Sequence, residues 1–146
     1  LPSSSDHITG ELKSAGFTRG SDVDLQAARI ADGIPGHPSE LVDFNPLEAG
    51  LKHLVSFSKG CYVGQEVIAR LDTYEKVQRS LRRMNLSEMP SSLPAPIVVD
   101  GEEAGVLTSA SPLSPIVGLA YINRKFHDKD AGFVVEGRIK AEIYPH

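Results

Sequence analysis

Residues 96–122, PIVVDGEEAGVLTSASPLSPIVGLAYI, carry the clearest fold signal in the chain. This stretch opens with two short apolar runs, Ile97 to Val99 and Val106 to Thr108, on either side of the pair Asp100-Gly101. An Asp-Gly pair between apolar runs is a strong hairpin signal, because both residues tolerate the positive φ angles of tight hairpin turns. We therefore predict an antiparallel hairpin at this position.

Further short apolar runs surround the hairpin at close spacing. They are IVGLAYI (residues 116–122), GFVV (132–135) and RIKAEIY (138–144). In the last of these, apolar and charged residues alternate, which is typical of a half-buried strand. Residues 85–96, NLSEMPSSLPAP, are predicted to connect a first strand to the hairpin. Four to six strands in about 70 residues predict a small antiparallel β-barrel or a sandwich.

The first half of the chain has a helical pattern instead. LQAARIADGIP, residues 25–35, predicts a helix that ends at its Gly and Pro residues. Asp22 or Asp24 is predicted to cap it. The apolar residues on or near one face of this helix are Leu25, Ala28 and Ile30.

A Gly- and Pro-rich segment follows that helix. Residues 33–51, GIPGHPSELVDFNPLEAGL, are predicted to form an ordered loop that carries short pieces of structure. The change from this pattern to short strands divides the chain near residue 76. We therefore expect two units, residues 1–76 and residues 77–146.

Composition and charge exclude several classes of protein. With 146 residues, 40% of them hydrophobic and 23% charged, the chain has the composition of a globular protein. No apolar run approaches the roughly 20 residues of a membrane-spanning helix. A formal charge of −4 gives no global attraction to nucleic acid. One cysteine excludes an internal disulfide and a CxxC-type zinc or redox site.

That single cysteine lies in KGCYVGQEVIAR, residues 59–70. A helix is predicted from residue 63 to about residue 71, along an apolar stripe of Val63, Val67, Ile68 and Leu71. Cys61 would lie at or just before its N-terminus, where backbone N–H groups and Lys59 favour a thiolate. Gly60 and Gly64 would permit unusual backbone conformations. A small buried hydrophobe is the alternative for Cys61, and the residues alone leave both open.

The motif KGCYVGQE resembles the signature K-G-C-[FY]-x-G-Q-E of the YgfZ family, folate-binding relatives of the glycine-cleavage aminomethyltransferase. ARIADGIP, NPLEAGL and GEEAGVLTS resemble the family's R-I-x-x-G-I-P, P-x-E-x-G-L and G-x-x-x-G-x-h-T-S segments, in the same order. The resemblance covers most of the chain but only the C-terminal part of the family's architecture, so we expect a piece of a longer protein. All seven fixed signature positions match: Lys59, Gly60, Cys61, Tyr62, Gly64, Gln65 and Glu66.

The resemblance implies an α+β fold in two parts. Residues 1–76 would be the end of a GcvT-like folate-binding domain, including the KGCYVGQE helix, and residues 77–146 a C-terminal β-barrel domain. It implies a factor in iron–sulfur cluster assembly or repair, and in tRNA thiomodification, rather than a conventional enzyme. Cys61 would be the working thiol, and Arg29 would reach tetrahydrofolate in the complete protein. The alternative is a folate-dependent one-carbon (aminomethyl) transferase.

The implied partners are iron–sulfur carrier proteins or client iron–sulfur enzymes, together with folate. Membranes and nucleic acid are not expected as direct partners. An iron–sulfur cluster takes about four protein ligands, so Cys61 would be one ligand of a shared cluster, or would act by thiol chemistry without ligation. Gly60 and Gly64 would allow close backbone approach, while Gln65 and Glu66 would orient neighbours or contact the partner.

The expected compartment is reducing and intracellular. The opening LPSSSDHITG has neither the basic nor the apolar region of a secretory signal. A single cysteine agrees with a compartment in which disulfides are rare. The resemblance implies a bacterial cytoplasm first and a mitochondrial matrix second.

Two further groups of residues are weaker candidates. A basic stretch would either touch RNA phosphates or folate glutamates, or form a solvated strand surface. The solvated surface is favoured, because aromatic side chains that could stack on bases are scarce nearby apart from Tyr74. Arg29 has the similar alternative of a solvated helix arginine. The five histidines contain no i, i+4 pair, so no histidine metal site is predicted. The basic stretch consists of Arg70, Lys76, Arg79, Arg82 and Arg83.

Overall fold

The computed structural model describes residues 4–61, 63–73, 77–127 and 132–144. Within these ranges helices come first and strands follow. The helices are α1 (Ser4–Ser14), α2 (Asp22–Ala31) and α3 (Gln65–Thr73), with 3-10 turns at Lys52–Leu54 and Arg124–Phe126. The strands are β1 (Arg79–Leu86), β2 (Ala95–Val99), β3 (Glu102–Ala110), β4 (Val117–Asn123), β5 (Phe133–Val135) and β6 (Ile139–Ile143).

The strands close into a barrel in the order β1-β4-β3-β2-β5-β6. Every neighbouring pair is antiparallel. The predicted small antiparallel β-barrel is therefore confirmed. Closure matters because it pairs the strand edges that would otherwise be exposed.

The predicted hairpin is the β2–β3 connection. Val99 pairs with Glu102, which leaves Asp100 and Gly101 as a two-residue turn. Their φ angles are 51° and 81°, the positive values that a tight hairpin turn needs. The second strand starts at Glu102, earlier than its apolar run indicated, because the turn fixes the register before the apolar residues begin.

The barrel interior is filled by alternate residues of its strands, as expected for a small barrel. Met84 on β1, Leu107 on β3 and Ile122 on β4 are fully buried there. The remaining buried members of this core are Leu86, Ala95, Ile97, Val99, Ala104, Ala120, Phe126, Phe133, Val135, Ile139 and Ala141.

Helix α2 packs on the outside of the barrel. Ile30 is buried against Val117 and Leu119 of β4, with Leu81 of β1 beside them. The predicted apolar face was partly wrong, because Leu25 and Ala28 are exposed and the buried partner of Ile30 on the helix is Ala27. The buried face of α2 is therefore set by where the helix packs on the barrel, and the positions of apolar residues in its sequence do not determine it.

The cap of α2 also differs from the prediction. Ser21 is the N-cap residue, and its hydroxyl accepts a bond from the N–H of Asp24 at 3.2 Å. Asp24 returns the bond by accepting from the N–H of Ser21 at 2.8 Å, which completes a capping box. Asp24 is thus the third helical residue of the box, and neither predicted aspartate is the cap itself.

Residues 33–51 form the predicted ordered loop, built from consecutive turns. The N–H of Glu40 donates to the carbonyl of Gly36 at 2.9 Å, and the N–H of Leu51 donates to that of Pro46 at 2.8 Å. Among the helices in the described ranges, none has the length and apolar character needed to cross a bilayer.

Candidate functional site

The signature segment, residues 59–66, lies at the surface just before and within the start of α3. Cys61 is exposed, which contradicts the alternative of a small buried hydrophobe. The helix begins at Gln65, two residues later than predicted, and the carbonyl of Gly64 accepts from the N–H of Ile68 at 3.2 Å. The helix dipole acts within about one turn of the helix end. Cys61 therefore lies ahead of the helix start rather than at it.

The two glycines of the signature segment differ in their backbone geometry. Gly64 has a φ of +88°, in the left-handed region that favours glycine. Gly60 has no such φ, and a Cβ there would meet no described atom within 4 Å. Of the two glycines, only Gly64 takes the unusual conformation that both would permit.

The polar members of the segment make local contacts. The N–H of Lys59 donates to Ser56 Oγ at 3.2 Å. Glu66 Oε1 accepts from Arg70 Nη2 at 2.6 Å across one turn of α3, with both side chains exposed. Such an exposed ion pair contributes at most about 1 kcal/mol to stability, so Glu66 and Arg70 can break it at little cost to bind a partner. Tyr62 lies outside the described residues.

Arg29 belongs to a different site, which we call the Glu40 cluster: Arg29, Glu40, Thr108 and Ser109. Glu40 is fully buried. Its Oε2 accepts from Arg29 Nη1 at 2.8 Å and from the N–H of Gly36 at 2.9 Å. Its Oε1 accepts from Thr108 Oγ1 at 2.7 Å and Ser109 Oγ at 2.6 Å. A buried carboxylate needs this many donors to offset the loss of water.

The guanidinium of Arg29 is almost completely used by the protein. Beyond Glu40 it donates to Gln26 Oε1 at 2.9 Å, to the carbonyl of Ile34 at 2.9 Å and to Ser109 Oγ at 3.2 Å. Its side chain is only 15% exposed, so the alternative of a solvated helix arginine is wrong. Gly36 makes room for it, since a Cβ there would lie 2.8 Å from the Arg29 guanidinium carbon.

A β-bulge explains how two consecutive residues reach one carboxylate oxygen. On β3, Leu107 pairs with Ala120 and Ser109 with Leu119, and the register shifts between them. Leu107 points into the barrel core, so regular alternation would send Ser109 inward as well. The extra residue at Thr108 changes the alternation, and both hydroxyls face Glu40.

A second buried glutamate attaches the same segment to strand β1, which is separated from β3 by β4. Glu48 Oε1 accepts from Arg79 Nε at 2.9 Å, and the backbone carbonyl of Glu48 accepts from the N–H of Leu81 at 2.9 Å. The Arg79 guanidinium lies 4.6 Å from the centroid of the Phe44 ring. Phe44 stacks in turn on Tyr121, with ring centroids 3.6 Å apart.

Tyr121 joins these two attachments. Its hydroxyl donates to the backbone carbonyl of Glu40 at 2.8 Å. Burial raises the pKa of Tyr121 well above that of an ordinary tyrosine, and the carboxylates of Glu40 and Glu48 raise it further, against a lowering effect of Arg79. The phenol is therefore a neutral donor at physiological pH.

Tyr121→Phe is expected to flatten the loss of stability at high pH. The folded state holds the phenol proton more tightly than the unfolded state. The contribution of Tyr121 to the free energy of unfolding is therefore complete below about pH 10 and falls as the pH rises further. The variant also loses about 1 kcal/mol of folding free energy near neutral pH, because it lacks the hydrogen bond from the hydroxyl to the Glu40 carbonyl. Urea denaturation between about pH 8 and pH 11 measures both effects. Parallel curves for the two proteins would contradict this account.

The solvated surface predicted for the basic stretch is only partly wrong: its arginines on β1 are half-buried and paired, whereas Arg70 on α3 is exposed. On β1, Arg79 binds Glu48, and Arg82 Nη2 lies 3.4 Å from His127 Nδ1. Arg83 donates to the carbonyl of Ala31 at the end of α2 and covers the Tyr144 ring at 4.4 Å. These arginines bind the protein's own helices and loops, and Lys76 and Tyr74 lie outside the described residues.

The structure thus separates the predicted site residues. Arg29 lies in the Glu40 cluster, whereas Cys61 lies in the exposed signature segment. Across the ranges that the structure covers, no group of three or more His, Cys, Asp or Glu side chains could hold a metal ion. Sequence reasoning missed Glu40 as a partner for Arg29, because no local pattern links Glu40 to Thr108 and Ser109, which are 68 and 69 residues away.

Comparison with known proteins gives one informative match. The chain is 44% identical over 107 residues to a protein named "Putative transferase At1g60990, chloroplastic" from Arabidopsis thaliana. The match takes in 70% of this chain and 24% of that protein, so the chain spans about a quarter of the relative's length. No protein-family model matches the chain. The similarity indicates a relationship to a transferase-like protein.

Proposed function

We propose that this chain is the C-terminal portion of a YgfZ-like, folate-dependent factor that assembles or repairs iron–sulfur clusters and supports tRNA thiomodification. Residues 1–76 would end its folate-binding domain, and residues 77–146 would be its barrel domain. The observation that carries the proposal is the exposed Cys61 within the complete KGCYVGQE motif. An exposed thiol is accessible to a partner protein, as this role requires.

The chemistry of one thiol favours a shared or transient role. Cys61 supplies one ligand where a cluster takes about four. Among the described residues, it belongs to no group of three or more His, Cys, Asp or Glu side chains that could hold a metal ion. A carrier protein or a client enzyme would therefore supply the other ligands while a cluster is handed over. Thiol chemistry that repairs a cluster without ligation is the other form of the same proposal.

Tetrahydrofolate would bind the complete protein mainly through the part upstream of this chain. Arg29 was predicted to reach it, yet four of its five N–H groups already bind protein acceptors. A guanidinium with one remaining N–H group cannot bind a folate carboxylate in a bidentate way. Arg29 would therefore donate only one hydrogen bond to folate.

A folate-dependent one-carbon transferase is the second candidate, and the name of the Arabidopsis thaliana relative favours it. The two candidates differ in their need for the thiol. In an aminomethyl-transfer assay with the complete protein, the assembly factor is expected to show no robust turnover. Turnover that persists in Cys61→Ser would instead support the transferase and overturn the assembly role.

A third candidate is an interaction module whose thiol is chemically inert. Alkylation of native Cys61 at graded pH separates it from the other two. The proposed working thiol is expected to react at least as fast as a free cysteine. Slow alkylation of the folded protein would favour the inert module.

The compartment is proposed to be a reducing one, either a bacterial cytoplasm or an organelle, as the relative's chloroplastic name suggests for that protein.

A further inference from the structure

The chain that leads to the signature segment crosses the outside of the barrel between α2 and the 3-10 turn at Lys52–Leu54. Along this path, residues 33–51 contain two buried glutamates, Glu40 and Glu48. Their burial is notable because charged side chains are rarely placed away from water without a specific set of partners. Both carboxylates bind side chains of the barrel.

The first attachment lies on strand β3. Glu40 accepts from Thr108 Oγ1 and Ser109 Oγ, and its backbone carbonyl accepts from the Tyr121 hydroxyl on β4. Arg29 neutralises the carboxylate from α2. Helix, loop and barrel therefore meet at one side chain.

The second attachment lies on strand β1. Glu48 binds Arg79 through its side chain and the N–H of Leu81 through its backbone carbonyl. The N–H of Asn45 also donates to Glu48 Oε2 at 3.2 Å, which ties the loop to the same carboxylate. The chain then continues through Lys52–Leu54 to the signature segment, so this attachment lies thirteen residues before Cys61.

Buried ionic groups of this kind are better suited to fixing geometry than to adding stability. Replacing a buried ion pair by apolar residues is often neutral or stabilising, whereas such pairs can specify one register. Two attachments on adjoining parts of the barrel fix both the position and the direction of a loop. Apolar packing alone, such as that of Ile30 of α2 on β4, is non-directional and would fix the direction of the loop less well.

We propose that Glu40 and Glu48 are positioning residues, which fix the path of residues 33–51 on the barrel and thereby set where Cys61 is presented to its partner. This inference rests on the proposed function for the role of Cys61. The attachment itself is testable without that role.

The test uses the complete protein with Glu40→Gln and Glu48→Gln, followed by hydrogen–deuterium exchange. A glutamine amide cannot accept from all the donors around Glu40, and it leaves the Arg29 charge without its counterion. We expect amides of α2 and residues 33–51 to exchange at least about a hundredfold faster in Glu40→Gln, since a buried charge is left unpaired, and less so in Glu48→Gln, whose partner Arg79 is 38% exposed. The barrel strands are expected to keep their protection.

The matched control is Glu142→Gln, an exposed glutamate on β6, which is expected to change neither region. If Glu40→Gln does not fold, Thr108→Val tests the same attachment from the barrel, with Thr108→Ser retaining the hydroxyl as a rescuing variant. Unchanged exchange in residues 33–51 for both Glu40→Gln and Thr108→Val would overturn the attachment.

The functional arm compares rescue of an iron–sulfur enzyme with Cys61 alkylation by a small reagent. We expect the Glu40 and Glu48 variants to lose rescue while their alkylation rate stays unchanged, because the thiol is exposed but presented elsewhere. Full rescue despite fast exchange in residues 33–51 would overturn the positioning role. Failure of the proposed function is recognised separately, since Cys61→Ser would then rescue fully.

Discussion

Gly105→Ala is expected to destabilise the barrel by about 3 kcal/mol, the upper part of the range for overpacked interiors. A Cβ at this position would lie 2.1 Å from the backbone oxygen of Tyr121 on the neighbouring strand. Because the obstacle is backbone rather than a flexible side chain, strands β3 and β4 would have to separate. Thermal unfolding and urea denaturation measure the loss.

Gly10→Ala is the control for that substitution. It adds the same methyl group on α1, where no described atom lies within 4 Å of the new Cβ. It is expected to leave the unfolding midpoint of the barrel unchanged and to favour the helix slightly. Equal midpoints for Gly105→Ala and the unmodified chain would show that the close contact of β3 with β4 does not require glycine.

The second large effect concerns the ion pair of Arg29 and Glu40. Removing either partner alone is expected to cost about 3–5 kcal/mol, because a buried charge is left without its counterion. The double variant Arg29→Met with Glu40→Gln is expected to cost less than the sum of the single variants. A coupling of about 1–3 kcal/mol in this double-mutant cycle is the expected result.

An exposed ion pair on the barrel provides the comparison. Glu102 and Lys125 bind each other with side chains 62% and 54% exposed. A cycle on this pair is expected to give at most about 1 kcal/mol of coupling, since solvent screens the charges. If the Arg29 and Glu40 cycle gave no more than this pair, the Glu40 cluster would not be the main attachment of α2 to the barrel.

The barrel was the most predictable part of the fold, because its signals are local. The pair Asp100-Gly101 sets a turn by backbone geometry alone, and the alternation in residues 139–143 reports a strand that is buried on one side. The choice of barrel over sandwich depends on the pairing of β1 with both β4 and β6. That pairing joins strands distant in the sequence, and no local pattern encodes it.

The helices were predicted less completely because their environment decides their details. For α2, the buried face of Ala27 and Ile30 follows from where β4 lies, which the helix sequence does not contain. For α3, the start moved from Val63 to Gln65 because Gly64 takes a left-handed φ. Val63 is fully exposed and so does not belong to a buried stripe.

The candidate site divides in the same way. The signature motif identified Cys61 from sequence, and no tertiary contact was needed to find it. The Glu40 cluster could not be predicted, since Glu40 and Ser109 are 69 residues apart and a β-bulge brings the hydroxyl to the carboxylate. Arg29 was predicted to reach folate, and its partner within the chain, Glu40, was not predicted.

The role of Cys61 is tested in cells that lack the protein, by comparing rescue of an iron–sulfur enzyme by the full-length protein and by its Cys61→Ser variant. Serine differs by one atom at an exposed position, so expression and thermal stability are expected to match. We expect the variant to fold and to fail to restore the enzyme. Full rescue by folded Cys61→Ser would contradict the working thiol and direct attention to folate chemistry.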